Sequence, residues 1–423
     1  MRIRYQKTVL DNNLRVLSEK IDSVRSITLG IWVDVGSRDE DKGESGISHL
    51  IEHMLFKGTK NRTAKEISLS LESVGGILNA FTGRENTCFF AKVTEKHLEI
   101  ALDVLSDLIL NPLFNPGDFK KEKKVIAQEI KDLEDNPSET IFDLLMQVLW
   151  GDHPLGRPVI GTLENILSLE KNQVVDFMRE NYTVQRIVIA ASGNLSHRRL
   201  IDLVKTKFRL PDNITRTKSK IQPLKPLSLK KVFFKKTAQV HICLGFPGYP
   251  YNHSQRYPTL LLGNILGGGM SSRLFQNLRE KFGLAYNIHS FIDFFRDKGV
   301  FGIYLGTDKK QVIQAITQVL KELNRIKKEK LSKKELENAK NQLKGNLILS
   351  AESTSSRMNR LALLELYLGE YISLERTIHS INKVKAKDIS EAANELLDGS
   401  RLVAAILGPV NQKIIQKINW NHI

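Results

Sequence analysis

Hydrophobic and polar positions alternate over residues 13–17 and again from Ser26 to Val33, the two-residue period of strands. A polar, glycine-containing stretch from Gly36 to Gly46 follows. The period then changes. Ile47, Leu50, Ile51, Met54 and Leu55 recur three and four residues apart, which predicts a helix with one face against a core. Thr63, with Glu66 three residues on, reads as the start of a second helix, and Gly75-Gly76 as its end. Ile77–Thr82 and residues 87–93 alternate like strands and are close enough to pair as a hairpin. Helical patterns then dominate, over 95–110, 116–134, 138–150 and 164–180. Residues 185–192 form an apolar strand closed by Gly193-Asn194.

Pro211, Pro223 and Pro226, set among basic residues, predict an interdomain linker over 209–231. Beyond it the same order returns. Strands are expected at 239–246, 284–294 and 299–305, and helices at 308–327, 332–351, 355–368 and 387–397. The strand 401–407 then closes at Gly408-Pro409, as the first half closed at Gly193-Asn194. A pattern that occurs twice predicts a duplicated α+β unit of about 200 residues. The expected domains are 1–208 and 232–423, two homologous α/β sandwiches, each an antiparallel-rich sheet with helices packed on it. Where the first half has His49 and His53, the second is expected to have Ser272 and Gln276, so the second domain should hold no metal.

The formal charge of +16 suggests an anionic partner. Its distribution changes that picture. Acids slightly outnumber bases in residues 1–200, whereas bases exceed acids by about two to one beyond them. The excess lies largely in 205–236 and 327–344, and the second stretch offers no aromatic ring for base stacking. Solvated surface is therefore expected, and no nucleic-acid partner. The apolar runs are far shorter than the ~18 residues of a membrane span. The N-terminus has no apolar core of a signal peptide, and the first strand leaves no room for a transit peptide. Cys88 and Cys243 sit in apolar strand-like runs and read as buried hydrophobes of a reducing compartment. A cytoplasmic protein without membrane contact is the expectation.

Candidate chemistry gathers on the first predicted helix. His49, Glu52 and His53 stand at i, i+3 and i+4, so they share the helix face opposite the apolar one. Two imidazoles can ligate zinc, and a carboxylate beside them can take a proton from water. A third protein ligand is missing. The helical stretch 116–134 offers Glu122 and Glu129, two turns apart on one face, and spacing alone does not choose between them.

The order His49-x-x-Glu52-His53, with Glu129 downstream, resembles the inverted zinc motif of the pitrilysin-type metallopeptidases. Residues 75–82 resemble that family's substrate-binding edge strand, and 266–275 with 279–286 resemble a signature of its C-terminal half. Size and intact motif look most like bacterial processing proteases, which resemble the mitochondrial processing peptidase beta subunit. The resemblance implies His49, His53 and Glu129 as ligands of one Zn²⁺ per chain and Glu52 as general base, with Glu122 as an auxiliary acid. It also implies Asn79, Ala80 and Phe81 as peptide contacts, and Arg279 and Tyr286 as groups that reach the substrate. The implied protein is a zinc endopeptidase with a clam-shell chamber, acting on peptides or unfolded and possibly basic polypeptides, as a homodimer. A non-catalytic peptide-binding or scaffold subunit of the same family is the alternative.

Overall fold

A computed structural model of the chain describes residues 3–210 and 228–423. The expected linker, 209–231, falls largely outside them. Its last two residues, Lys230 and Lys231, open a strand.

In chain order the strands are β1 (Ile3–Val9), β2 (Arg15–Ile21), β3 (Ser26–Val33), β4 (Ile77–Thr82), β5 (Thr87–Thr94), β6 (Ile187–Gly193), β7 (Lys230–Phe234), β8 (Val240–Gly248), β9 (Asn287–Phe294), β10 (Gly299–Thr307) and β11 (Val403–Gly408). The α-helices are α1 (Ile47–Leu55), α2 (Ala64–Glu72), α3 (Leu98–Leu110), α4 (Pro116–Glu134), α5 (Pro137–Trp150), α6 (Leu163–Ser168), α7 (Lys171–Asn181), α8 (His197–Lys207), α9 (Arg256–Gly267), α10 (Val312–Lys328), α11 (Lys333–Ser350), α12 (Thr354–Leu368), α13 (Leu374–Lys383) and α14 (Ala386–Leu396). A π-helix spans Phe275–Lys281.

Two compact α/β units result, and neither is continuous in sequence. The described part of unit 1 is 3–131, 157–210 and 349–371; that of unit 2 is 132–156, 228–348 and 372–423. The unit 1 sheet has the order β1-β2-β6-β3-β5-β4, and the unit 2 sheet β7-β11-β8-β10-β9. Without β1, the two orders superimpose strand for strand. The pairing sense matches as well: β2 with β6 and β7 with β11 are parallel, and the other neighbours are antiparallel. The duplication expected from the pattern is therefore present in the topology.

Each sheet buries both faces. In unit 1, α1, α3 and α7 cover one face with an apolar cluster that includes Leu50, Leu105 and Phe177. The other face presents Leu17, Trp32, Cys88, Val188 and Ala190, and these meet Met358, Leu361 and Ala362 of α12. Removing such a face from water is the main stabilising term, at about 25 cal/mol per Å². Polar anchors fix α12 in register: Arg357 donates to the buried Glu19 at 3.0 Å, Tyr371 donates to Glu19 at 2.8 Å, and Lys7 pairs with Glu365 at 2.8 Å. In unit 2 the matching face, with Cys243, Val300, Tyr304 and Ala405, is covered by Ile141, Leu145 and Leu149 of α5. Gly245 makes this approach possible, because a Cβ there would stand 3.0 Å from Leu145. So α5 and α12 each complete the sheet built mainly by the other half of the sequence.

Three local expectations are corrected. The helix expected over 164–180 is two helices, because Gln173 accepts the Glu170 N–H and starts α7 afresh. The first strand, β1, lies outside the expected set; Arg4, Gln6 and Lys7 are exposed polar residues on it, and Asn13 at φ 67° turns it into β2. The counterpart of α1, the first helix after the central strand, is α9, with the π-helix in the place of α2. Ser272 and Gln276 therefore follow the counterpart helix and do not replace His49 and His53. α9 contains no His, Asp or Glu.

Candidate metal centre

Helix α1 is short and held at both ends. Gly46 precedes it at φ 95°, a left-handed conformation that only glycine adopts without strain. A Cβ at this position would also collide with Ile166 at 2.6 Å and the Ile160 carbonyl at 2.7 Å. The buried carboxylate of Glu40 accepts the N–H groups of Gly46 (2.8 Å) and Ser48 (2.9 Å), which are free donors of the first turn. Beyond the helix, Asp107 of α3 gathers Thr59, Asn61 and Arg62 at 2.6, 2.6 and 2.7 Å. Ile47, Leu50, Ile51, Met54 and Leu55 are buried as the pattern required, so His49, Glu52 and His53 take the remaining face.

One ligand atom each from His49, His53 and Glu129 lies within 4.8 Å of the others. This is the choice spacing left open: Glu129, not Glu122, completes the group. Among the described residues no other set of three such side chains converges. The donors fit zinc. His49 is pushed down to about 4, first by burial and then by His53, so it stays a neutral ligand-competent imidazole near neutral pH. Its buried Nδ1 makes no hydrogen bond. On His53, Nδ1 lies 3.2 Å from Glu122 Oε2, while Nε2 lies 3.6 Å from Glu129 Oε2. A proton on Nδ1, donated to Glu122, leaves the Nε2 lone pair free. Glu122 is itself buried and also takes Lys57 Nζ at 2.9 Å. Two imidazoles and one carboxylate form a three-ligand set of the catalytic type, which keeps a fourth position open.

Glu52 stands beside the group. Its Oε2 accepts Thr82 Oγ1 at 2.5 Å. Burial raises its pKa, and the Thr82 bond and His53 partly offset that rise. Thr82 ends β4, whose register runs Ile77↔Lys92 to Thr82↔Thr87 on β5 and which, among the described residues, has no second neighbour in the sheet. Asn79 and Ala80 are on this edge, and the Ala80 N–H bonds the Asn79 side chain at 2.8 Å. Phe81 turns inward, edge-on to Trp32 at 5.4 Å. Arg279 and Tyr286 belong to unit 2. There the Arg279 guanidinium lies 5.3 Å from the Tyr286 ring and 4.8 Å from Phe275, beside a cavity of about 330 Å³, and Tyr286 is 74% exposed.

Residues 15–163 match insulinase (peptidase family M16), and 168–343 match the peptidase M16 inactive domain. The chain is 39% identical over 397 residues to an uncharacterized zinc protease of Bacillus subtilis (strain 168), covering 93% of this chain and 96% of that one. It is 35% identical over 415 residues to an uncharacterized zinc protease of Rickettsia bellii (strain RML369-C), covering 97% and 99%. The chain belongs to peptidase family M16. It is a zinc metalloendopeptidase of that family, with a single zinc site formed by two histidines and a glutamate. The fold is also that of the crystal structure of a protease from Helicobacter pylori, at a TM-score of 0.90 and 24% identity, over 96% of this chain and 100% of that one. Sequence reasoning about the M16 site missed Thr82, Lys57 and Glu40. Nothing in the spacing of Thr82 or Lys57 announces a contact with a residue 30 or 65 positions away. Glu40 carried a faint signal, an acid shortly before a helix start.

Proposed function

We propose that the protein is a processing-type endopeptidase that hydrolyses extended peptides or unfolded segments, with Glu52 as general base. One observation carries this reading: His49, His53 and Glu129 converge while Glu52, one residue before a ligand, is held next to them by Thr82. Zinc in such a site supplies Lewis acidity and lowers the pKa of water toward ~7. Glu52 takes the proton from the attacking water and delivers it to the leaving amine. Its raised pKa suits it to hold that proton between the two steps. Glu122 acts through His53 as a positioning residue, fixing ring orientation and tautomer. The substrate lies along the open edge of β4, where Ala80 exchanges its bond with Asn79 for main-chain pairing and Asn79 and Phe81 border the peptide. Arg279 and Tyr286 steady the peptide carbonyl and the charge that develops on its oxygen.

The acids between Glu122 and Glu139 favour basic peptides as substrates. Hydrolysis inside an enclosed chamber, a homodimer and a cytoplasmic location are parts of the same proposal. Folded proteins should then resist cleavage while their unfolded forms are cut. The deciding experiment compares wild type with Glu52→Gln for bound zinc and for cleavage of an unstructured peptide. The variant should keep its zinc and lose about 10²–10⁴ in turnover. Normal cleavage by the variant, or no zinc in the wild type, would overturn the mechanism.

A further inference from the structure

The corner of the unit 2 sheet where β10 and β11 end holds a shallow cavity of about 450 Å³. Its floor is apolar, since Ile313, Val410 and Ile414 are half-buried and rest on the unit 2 core. Its rim is cationic. Lys309, Lys310, Lys413 and Lys417 line it, all four exposed, and no acid or aromatic ring joins them in the lining. Among the described residues, none of the four ammonium groups is paired with a carboxylate. Asp308, the acid next to them in sequence, accepts the Lys310 backbone N–H at 2.8 Å.

The duplication supplies an internal control. In unit 1 the same corner follows β5 and β6. Thr94-Glu95 there matches Thr307-Asp308, and Gly193 matches Gly408, both at positive φ (137° and 159°). Ser196 caps α8 as Asn411 caps the 3-10 turn Gln412–Lys417. But in unit 1 the corner is tied together by a hydrogen bond from Asn194 to Glu95. The fold therefore does not require lysines at this place.

We propose that the unit 2 corner is a binding site for a phosphate-bearing polyanion. Four like charges around one small cavity repel each other, and a multivalent anion removes that repulsion. Lysine donates as a point charge with three N–H groups, and is itself a recurrent binder of phosphate oxygens. A lining without aromatic rings gives no platform for a nucleobase, so recognition rests on the phosphates. The volume falls within the range of small-molecule sites, and the apolar floor strengthens the charge interactions above it. The same chemistry comes from a soluble polyphosphate or from the headgroup of an anionic phospholipid.

The test uses the full chain and two double variants, Lys413→Glu with Lys417→Glu and Lys309→Ala with Lys310→Ala. Each is titrated with tripolyphosphate by calorimetry at constant ionic strength. Each is also floated with phosphatidylglycerol-containing vesicles and with phosphatidylcholine vesicles. Wild type should bind tripolyphosphate at one saturable site, and the charge-reversal variant should bind about tenfold or more weakly. Flotation with the anionic vesicles alone, lost in the variants, would assign the headgroup as the source. Wild type that binds neither probe overturns the site. So does undiminished binding by either variant with a wild-type circular dichroism spectrum and melting temperature.

Discussion

The zinc ligands are positioned by side chains outside the ligand set. Glu122 is one: it holds His53 through Nδ1 and is itself held by Lys57. Glu122→Gln should lower zinc affinity by about 10–100-fold with little change in the circular dichroism spectrum, measured by competition with a chelator. Glu40 is another. Glu40→Ala frees two N–H donors at the start of α1 inside the protein, and should cost about 1–3 kcal/mol in urea unfolding. Such roles mark the limit of what sequence discloses. His49, Glu52 and His53 were legible because one helix period brings them together. Glu129 was narrowed to two candidates by spacing and selected by family resemblance; the contact itself depends on where α4 lies against α1. Thr82 was illegible, since a threonine at a strand end is ordinary and only the packing of β4 beside α1 makes it a partner of Glu52.

Elements follow the pattern closely where a single face is buried. Helix α1 and the hairpin of β4 and β5 lie where the periodicity placed them. Where backbone and side chains compete locally the pattern fails, as at Glu170, whose N–H is taken by Gln173 and which begins a new helix. The junction between α1 and α3 gives a test at this scale. Burial alone would raise the pKa of Asp107, but hydrogen bonds from Thr59, Asn61, Arg62 and Asn111 outweigh it and hold the carboxyl below its ordinary value. The folded state then binds this proton less readily than the unfolded chain. Its stabilisation is complete above the ordinary carboxylate pKa of about 4 and is lost as pH falls through the depressed value. Asp107→Asn should therefore flatten the acid limb of the melting curve, followed by thermal unfolding between about pH 2 and 5. At pH 7 the variant should be about 1–3 kcal/mol less stable, because Arg62 loses its buried acceptor.

At the scale of the whole molecule, the repeat was legible because strand order leaves the same sequence of periods twice. The exchange of α5 and α12 was not. A helix with an apolar face declares that it needs a sheet and does not say which. That exchange predicts the behaviour of fragments. A chain of residues 1–208 lacks α12, so the face with Leu17, Trp32 and Val188 is bare. It should be insoluble or bind a hydrophobic dye when made alone, and recover when 209–423 is expressed with it. Both halves soluble and monomeric on their own would contradict the packing described for α12.

The same arrangement sets an order in time. During synthesis the last zinc ligand, Glu129, leaves the ribosome well before Thr354, the first residue of α12. At ~5–20 residues per second, those 225 residues (354 less 129) take roughly 10–45 s. For that interval the nascent chain owns every ligand of its metal but not the helix that closes the ligand-bearing sheet. The growing polypeptide is itself unfolded peptide chain, tethered to its own incipient peptidase. A helix that follows the last ligand by 225 residues thus delays the completed catalytic unit.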